Sequence, residues 1–306
     1  MNPLSMPFIR TVLGDVDPAE LGPCDAHEHL FLVTPIQPGD DLTEVGKAIE
    51  EVRALHGAGG RALVEWTPIG LGRDLAGLIE VSLATGVKIV AATGLHRDAH
   101  YGADEPLRST AAELLADTFT AELTTADAPC GMIKLGASYH QLTPFERLAF
   151  EAGAMAQGRT GAPIGVHTEH GTMGLGIVEL LGSLGVAAES VILAHLDRNP
   201  DVGEHAETAA TGAWLQLDGP GRAKYWPDST ILELITGLAD RGFADRLLLG
   251  GDTGRRSMMR AYGGGPGLDY VFRRFKPRLE RELGQELSDR IFIANPARAF
   301  AFVPHS

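Results

Sequence analysis

Cysteine is nearly absent from the 306 residues: Cys24 and Cys130 cannot frame a disulfide scaffold, and no CxxC spacing offers a zinc knuckle. Both read as buried, inert thiols in or beside the core. Basic side chains are also scarce. Against 40 Asp plus Glu stand 26 Lys plus Arg, and the net charge of −14 excludes a nucleic-acid backbone or an anionic membrane surface as the main partner. No apolar run approaches the roughly 18 residues of a spanning helix. The N-terminal stretch MNPLSMPFIRTVLGDVDPAEL lacks a basic start followed by an apolar run, so a reducing cytoplasm is the expected location. There is no low-complexity tract and no linker-like segment, and one domain over 1–306 is expected.

What is present is ordinary globular composition, 44% hydrophobic and 22% charged, with a regular alternation along the chain. Short apolar runs lie at 23–26, 61–66, 87–93, 131–135, 163–167, 191–195, 213–217 and 246–251. Between them fall amphipathic segments such as 42–59, 110–126, 143–157 and 229–242. Helix punctuation agrees: Thr143, Pro144 and Glu146 make an N-cap, N1 proline and capping box, and Gly158 is expected to follow that helix. Eight strand–helix units predict an α/β fold, a (β/α)8 TIM barrel, in preference to an open doubly wound sheet.

In a barrel the C-terminal ends of the strands carry the chemistry. Here the first run leads into Asp25-Ala26-His27-Glu28-His29, the fourth contains Lys134, the fifth ends at His167, the sixth at His195 and the eighth leads to Asp252. Residues i and i+2 of a strand share a face, so His27 and His29 can address one ion, whereas the helical HExxH spacing is absent. Imidazoles suit zinc, iron, nickel or cobalt, and Asp252 adds a hard carboxylate. Lys134 is the odd member, because an ammonium has no lone pair to give. It joins a metal site only as a neutral amine or as a carboxylate-like derivative.

These residues make the chain resemble the phosphotriesterase-like family of the amidohydrolase superfamily, nearest to its lactonase and phosphotriesterase homology branches. The stretches that carry the resemblance include CDAHEHLF, IGLGRD, ATGLH, MIKLG, VHTEHGTMG, ILAHLDRNPD, KYWPD and LLLGGDTGRR. The resemblance implies two divalent metal ions, zinc first, with cobalt, manganese or nickel as alternatives. It puts His27, His29 and Asp252 on the more buried ion and His167 and His195 on the more exposed one. A carbamylated Lys134 would bridge them, which removes the charge objection. It further implies a bridging hydroxide as nucleophile, with Asp252 taking a proton toward the leaving group.

Loops choose the substrate. Arg222, Lys224 and Tyr225 follow the seventh run, and Arg255 and Arg256 follow Asp252. Phosphorylated-sugar lactonases of the family carry a lysine and an arginine that Lys224 and Arg255 match, but Met258 stands where they have tyrosine. Arg222 and Arg256 read more readily as solvated charges than Lys224 does. His96, His100 and Tyr101, His170 and Trp66 are further candidates at the mouth, and Glu65 stands where the family often has aspartate. The favoured expectation is a hydrolase of a small lactone or carboxylic ester, phosphorylated or not. Organophosphate triester hydrolysis and hydrolysis of a small N-acyl amide are the alternatives. The resemblance also extends homodimerisation to this chain.

Overall fold

The eight apolar runs become eight parallel strands in the computed structural model, which describes residues 6–125 and 129–303. An antiparallel hairpin that the sequence reading did not anticipate precedes them, β1 (Ile9–Thr11) and β2 (Gly14–Val16). The parallel strands are β3 (Cys24–Glu28), β4 (Ala62–Glu65), β5 (Lys88–Gly94), β6 (Met132–Ala137), β7 (Ile164–Thr168), β8 (Val191–Ala194), β9 (Trp214–Leu217) and β10 (Leu247–Leu249). They neighbour one another in chain order. The backbone N–H groups of Gly251 and Asp252 donate to His27 O at 3.2 and 2.9 Å, so β10 closes on β3. The fold is a (β/α)8 barrel.

After each strand the chain returns through a helix: α1 (Val45–Gly57), α2 (Leu75–Thr85), α3 (Ala112–Thr124), α4 (Pro144–Thr160), α5 (Gly174–Ser183), α6 (Val202–Ala210), α7 (Asp228–Ala239) and α8 (Lys276–Leu283). Ala126, the end of one predicted helical segment, lies outside the described residues. On α4 the capping box is made: Thr143 Oγ1 accepts the Glu146 N–H at 3.2 Å, and Glu146 accepts the Thr143 N–H at 2.9 Å. Its far end differs from the expectation. The helix runs through Gly158 to Thr160 and stops at Gly161, whose φ of 73° lets it adopt the left-handed cap.

Burial on both faces is why these strands read as unbroken apolar runs. Ala26, Val64, Val90, Ala92, Met132, Ile192, Ala194 and Leu248 pack with Trp66 inside the barrel. Leu63, Ile89, Ile133, Leu135, Val166, Leu193 and Leu215 face the helices. Gly165 is dictated by the crowded interior: a Cβ there would come within 2.3 Å of Met132 Cε and 2.6 Å of the Trp66 ring. No helix among the described residues is long and apolar enough to cross a membrane.

Candidate metal centre

Strand ends bring His27, His29, Lys134, His167, His195 and Asp252 to the wall of one cavity of about 190 Å³ at the C-terminal face. Three local departures from ideal strands aim them. β3 shifts register between Asp25 and Glu28. Cys24 and Ala26 are interior residues, yet His27 also turns inward and stacks on Trp66 at 4.1 Å. Ala194 faces the interior, so alternation alone would send His195 outward; its backbone instead takes a left-handed conformation, φ 69°. Asp252 does the same at φ 48°. Such backbone costs a non-glycine residue on the order of 1–3 kcal/mol and is concentrated at functional sites.

Each of the four histidines has one ring nitrogen beside a protein oxygen. His27 Nδ1 lies 3.2 Å from Asp218 Oδ2, and His195 Nδ1 lies 3.0 Å from the same oxygen. His29 Nδ1 lies 2.8 Å from Thr67 Oγ1, and His167 Nε2 lies 2.7 Å from Glu169 Oε2. The remaining nitrogens are Nε2 of His27, His29 and His195 and Nδ1 of His167. Nε2 of His27 and of His29 approach Asp252 Oδ1 at 3.7 and 3.4 Å. Among the described residues, two groups have ligand atoms within 4.8 Å of one another: His27 with His29 and Asp252, and His27 with His195 and Asp218. His27 Nε2 and Lys134 Nζ are fully buried and have no hydrogen-bond partner among the described residues. Unpaired buried polar atoms are costly, and a cation's ligand sphere is one setting that accounts for them.

The electrostatics make this a set of electron-pair donors. Burial pushes His27 down to about 4 and His167 to about 3, and drives His195 well below the ordinary imidazole range. The rings are therefore neutral, as metal ligands must be. Burial also takes Lys134 down to about 7, against the opposing pull of Asp252 and Asp218. Burial alone would raise Asp218 and Asp252, but His27 beside the first and Arg222 beside the second outweigh it and keep both carboxyls ionised.

Asp252 is gripped from the outer side by two guanidinium groups. Arg198 Nη2 donates to its Oδ2 at 3.0 Å, and Arg222 Nη1 donates both to that oxygen and to the Asp252 carbonyl. This corrects the reading of Arg222 as a solvated charge: its side chain is 8% exposed. Arg256 does remain at the surface, paired with Glu44 at 3.6 Å.

At the mouth, Lys224, Tyr225, Arg255 and Met258 line the cavity, with Arg255 also 3.3 Å from Asp40. His96 and His100 line it as a stacked pair with ring centres 3.8 Å apart. Trp66 does not reach the mouth. It is fully buried, its Nε1–H donates to Ala26 O at 2.7 Å, and it supports His27 and Lys134. Tyr101 is also buried, its hydroxyl donating to Ile69 O and accepting the His96 N–H. His170 is 56% exposed and faces a neighbouring outer groove. Glu65 accepts the backbone N–H groups of Leu30 and Thr67, and Thr67 in turn holds His29. Cys24 and Cys130 are buried free thiols, and burial raises both.

Sequence reasoning missed Asp218, Asp197, Arg198 and Glu169. Asp218 follows β9 directly, so the strand-end rule applied to LQLD would have found it. Asp197 Oδ1 accepts the Asp218 N–H at 2.7 Å. No pattern distinguishes Arg198 or Glu169 from surface loop charges.

Residues 7–300 match the phosphotriesterase family. Among curated proteins, the chain is 31% identical to a phospho-furanose lactonase of Mycoplasmopsis synoviae, over 96% of this chain and 92% of that protein. Among solved structures, a lactonase from Listeria monocytogenes superposes with a TM-score of 0.92 at 31% identity, covering 96% of this chain and 99% of that one. The Escherichia coli phosphotriesterase homology protein, solved with phosphate in its active site, gives 0.86 at 31% identity, covering 93% and 100%.

Proposed function

The chain belongs to the phosphotriesterase family, and from that membership we propose that it is a binuclear metal-dependent lactonase acting on a small, phosphorylated sugar-type lactone. The observation that carries this reading is the convergence of four histidines, a carboxylate and a buried lysine without a hydrogen-bond partner among the described residues on one cavity. The donor set fits two divalent ions. His27, His29 and Asp252 would hold one, His167 and His195 the other, and Lys134 would bridge them. Zinc suits two imidazoles with oxygen donors at each position, and cobalt, manganese or nickel fit the same atoms.

Lys134 is equipped for that role by its surroundings. With its amine pushed down to about 7, much of it is neutral at neutral pH. The nitrogen lone pair adds to the carbon of carbon dioxide, a proton leaves to water, and the carbamate presents two anionic oxygens where an ammonium would repel metal. When bound, the two ions polarise the ester carbonyl and lower the pKa of the attacking water.

The chain's own groups do the rest. Asp252 is ionised and accepts the proton released as water adds to the carbonyl carbon. It passes that proton to the ring oxygen as the carbon–oxygen bond breaks, giving a hydroxy acid. Arg198 and Arg222 hold Asp252 at the cavity wall. Lys224, held over the Tyr225 ring at 4.7 Å, and Arg255 supply positive charge for the substrate's anionic group. A cavity of about 190 Å³ with charged walls suits a small polar substrate better than a bulky neutral triester. We take the chain as one barrel domain, cytoplasmic and homodimeric, with neither nucleic acid nor membrane as partner.

The test is a panel of neutral and phosphorylated lactones, a small N-acyl amide and paraoxon on zinc-loaded protein. Phosphorylated lactones are expected to give the highest kcat/KM; a dominant triesterase or amidase rate would overturn the reading.

A further inference from the structure

We propose that Glu169 is a positioning residue that fixes which nitrogen His167 presents to the metal centre, and thereby sets the affinity of the more exposed ion. The inference rests on the metal-centre reading above and concerns a residue that reading does not use.

His27 and His29 pair with an oxygen through Nδ1, which leaves Nε2 for a metal, and His195 also turns Nδ1 toward Asp218 Oδ2 at 3.0 Å. His167 is reversed. Its Nε2 lies 2.7 Å from Glu169 Oε2, two residues further along the chain. An ionised carboxylate only accepts hydrogen bonds, so Nε2 must carry the hydrogen, and the lone pair of the neutral ring is then confined to Nδ1. Glu169 thus selects the tautomer and holds the ring plane at once.

The carboxylate is itself held in place. Glu169 opens the short turn Glu169–Gly171, in which His170 takes a left-handed backbone, φ 55°, so the chain folds back at the end of β7. Arg97, from the loop after β5, places Nε 3.1 Å from the same Oε2 and balances its charge. Gly136 on β6 makes room for that loop: a Cβ there would lie 2.4 Å from the Arg97 nitrogen. The Glu169 Oε1 side faces His170 Nε2 at 3.6 Å. Arg97, Glu169 and Arg198 together form the partition between the catalytic cavity and an outer groove lined by Tyr139, His140 and His170.

The test needs no turnover. In two-bond proton–nitrogen spectra of metal-free, histidine-labelled protein, His167 is expected as the Nε2–H tautomer, with H167Q giving the assignment. In E169A that preference is expected to be lost. Zinc titration by calorimetry should show the second ion weakened by about 10- to 100-fold in E169A. The first ion should bind unchanged, and E169Q, whose amide oxygen can still accept from Nε2–H, should recover most of the loss. A wild-type His167 carrying its hydrogen on Nδ1 would overturn the inference even if the variants failed to fold. So would unchanged affinity for both ions in E169A. A wild-type protein that binds no second ion would overturn the metal-centre reading itself, and the inference with it.

Discussion

Lys134 Nζ lies 4.5 Å from the centre of the Trp66 ring, buried and without a hydrogen-bond partner among the described residues. An amine kept there in metal-free protein destabilises the fold whenever it is charged.

That placement gives the first prediction. Because burial lowers the folded-state value to about 7, the unfolded chain binds the extra proton between that pH and the ordinary lysine value. The penalty is full below about pH 7 and is relieved as pH rises toward roughly 10.4. Thermal melting of the metal-free protein should therefore show a stabilising rise over that window that K134M lacks. At neutral pH and below, K134M should melt at the same temperature as the parent or higher. It should lose at least about a thousandfold in kcat, as expected when one member of a catalytic unit is removed. Full activity in K134M would refute the bridging role.

Arg222 and Asp252 supply a second. Removing the guanidinium in R222M takes away the strongest force holding the Asp252 carboxyl down, so its pKa rises. A base with a higher pKa is protonated at higher pH. The acid limb of the kcat/KM profile should therefore move to higher pH, with the largest losses below neutrality and little change above it. An unmoved limb would mean that Asp252 does not carry the proton.

The third concerns Gly219. A Cβ at this position would fall 2.3 Å from Asp197 Oδ2 and 2.9 Å from Ile231 Cδ1. Asp197 fixes the Asp218 backbone, and Asp218 faces both His27 and His195. G219A should therefore weaken zinc binding by about 10- to 100-fold. Calorimetric titration of the chelator-treated variant checks it.

Lys224 provides the fourth. A charge-assisted contact to an anionic group contributes about 1.5–3 kcal/mol, so K224A should raise KM for a phosphorylated lactone by roughly ten- to a hundredfold. The neutral lactone should be affected by no more than about twofold. Equal losses on both substrates would show that Lys224 acts on the fold of the loop and not on the phosphate.

The barrel was legible because its strands are buried on both faces and so stand out as apolar runs, each found within a few residues of its observed limits. His27, His29, Lys134, His167, His195 and Asp252 were legible for a related reason: polar residues at the ends of such runs are conspicuous. The backbone that aims them was not. The register shift in β3 and the left-handed residues His195 and Asp252 break the alternation on which the reading relied, and no local residue preference announces them. Arg222 and Glu169 were lost for the opposite reason. A loop arginine or glutamate has the sequence signature of a solvated charge, and only the fold brings Arg222 to Asp252 and Glu169 beside His167. Gly158 misled because the helix end was assigned to the glycine that directly follows the periodic segment, whereas the cap is the left-handed residue Gly161.

The central claim is that the cavity holds two metal ions on which hydrolysis depends. Metal analysis of chelator-treated protein, reconstituted with zinc and bicarbonate and assayed on a phosphorylated lactone at each addition, tests it most directly. The account predicts two ions per chain, with activity appearing as the second binds and requiring bicarbonate for its full return. Lactone hydrolysis at an undiminished rate in the metal-free protein would contradict it.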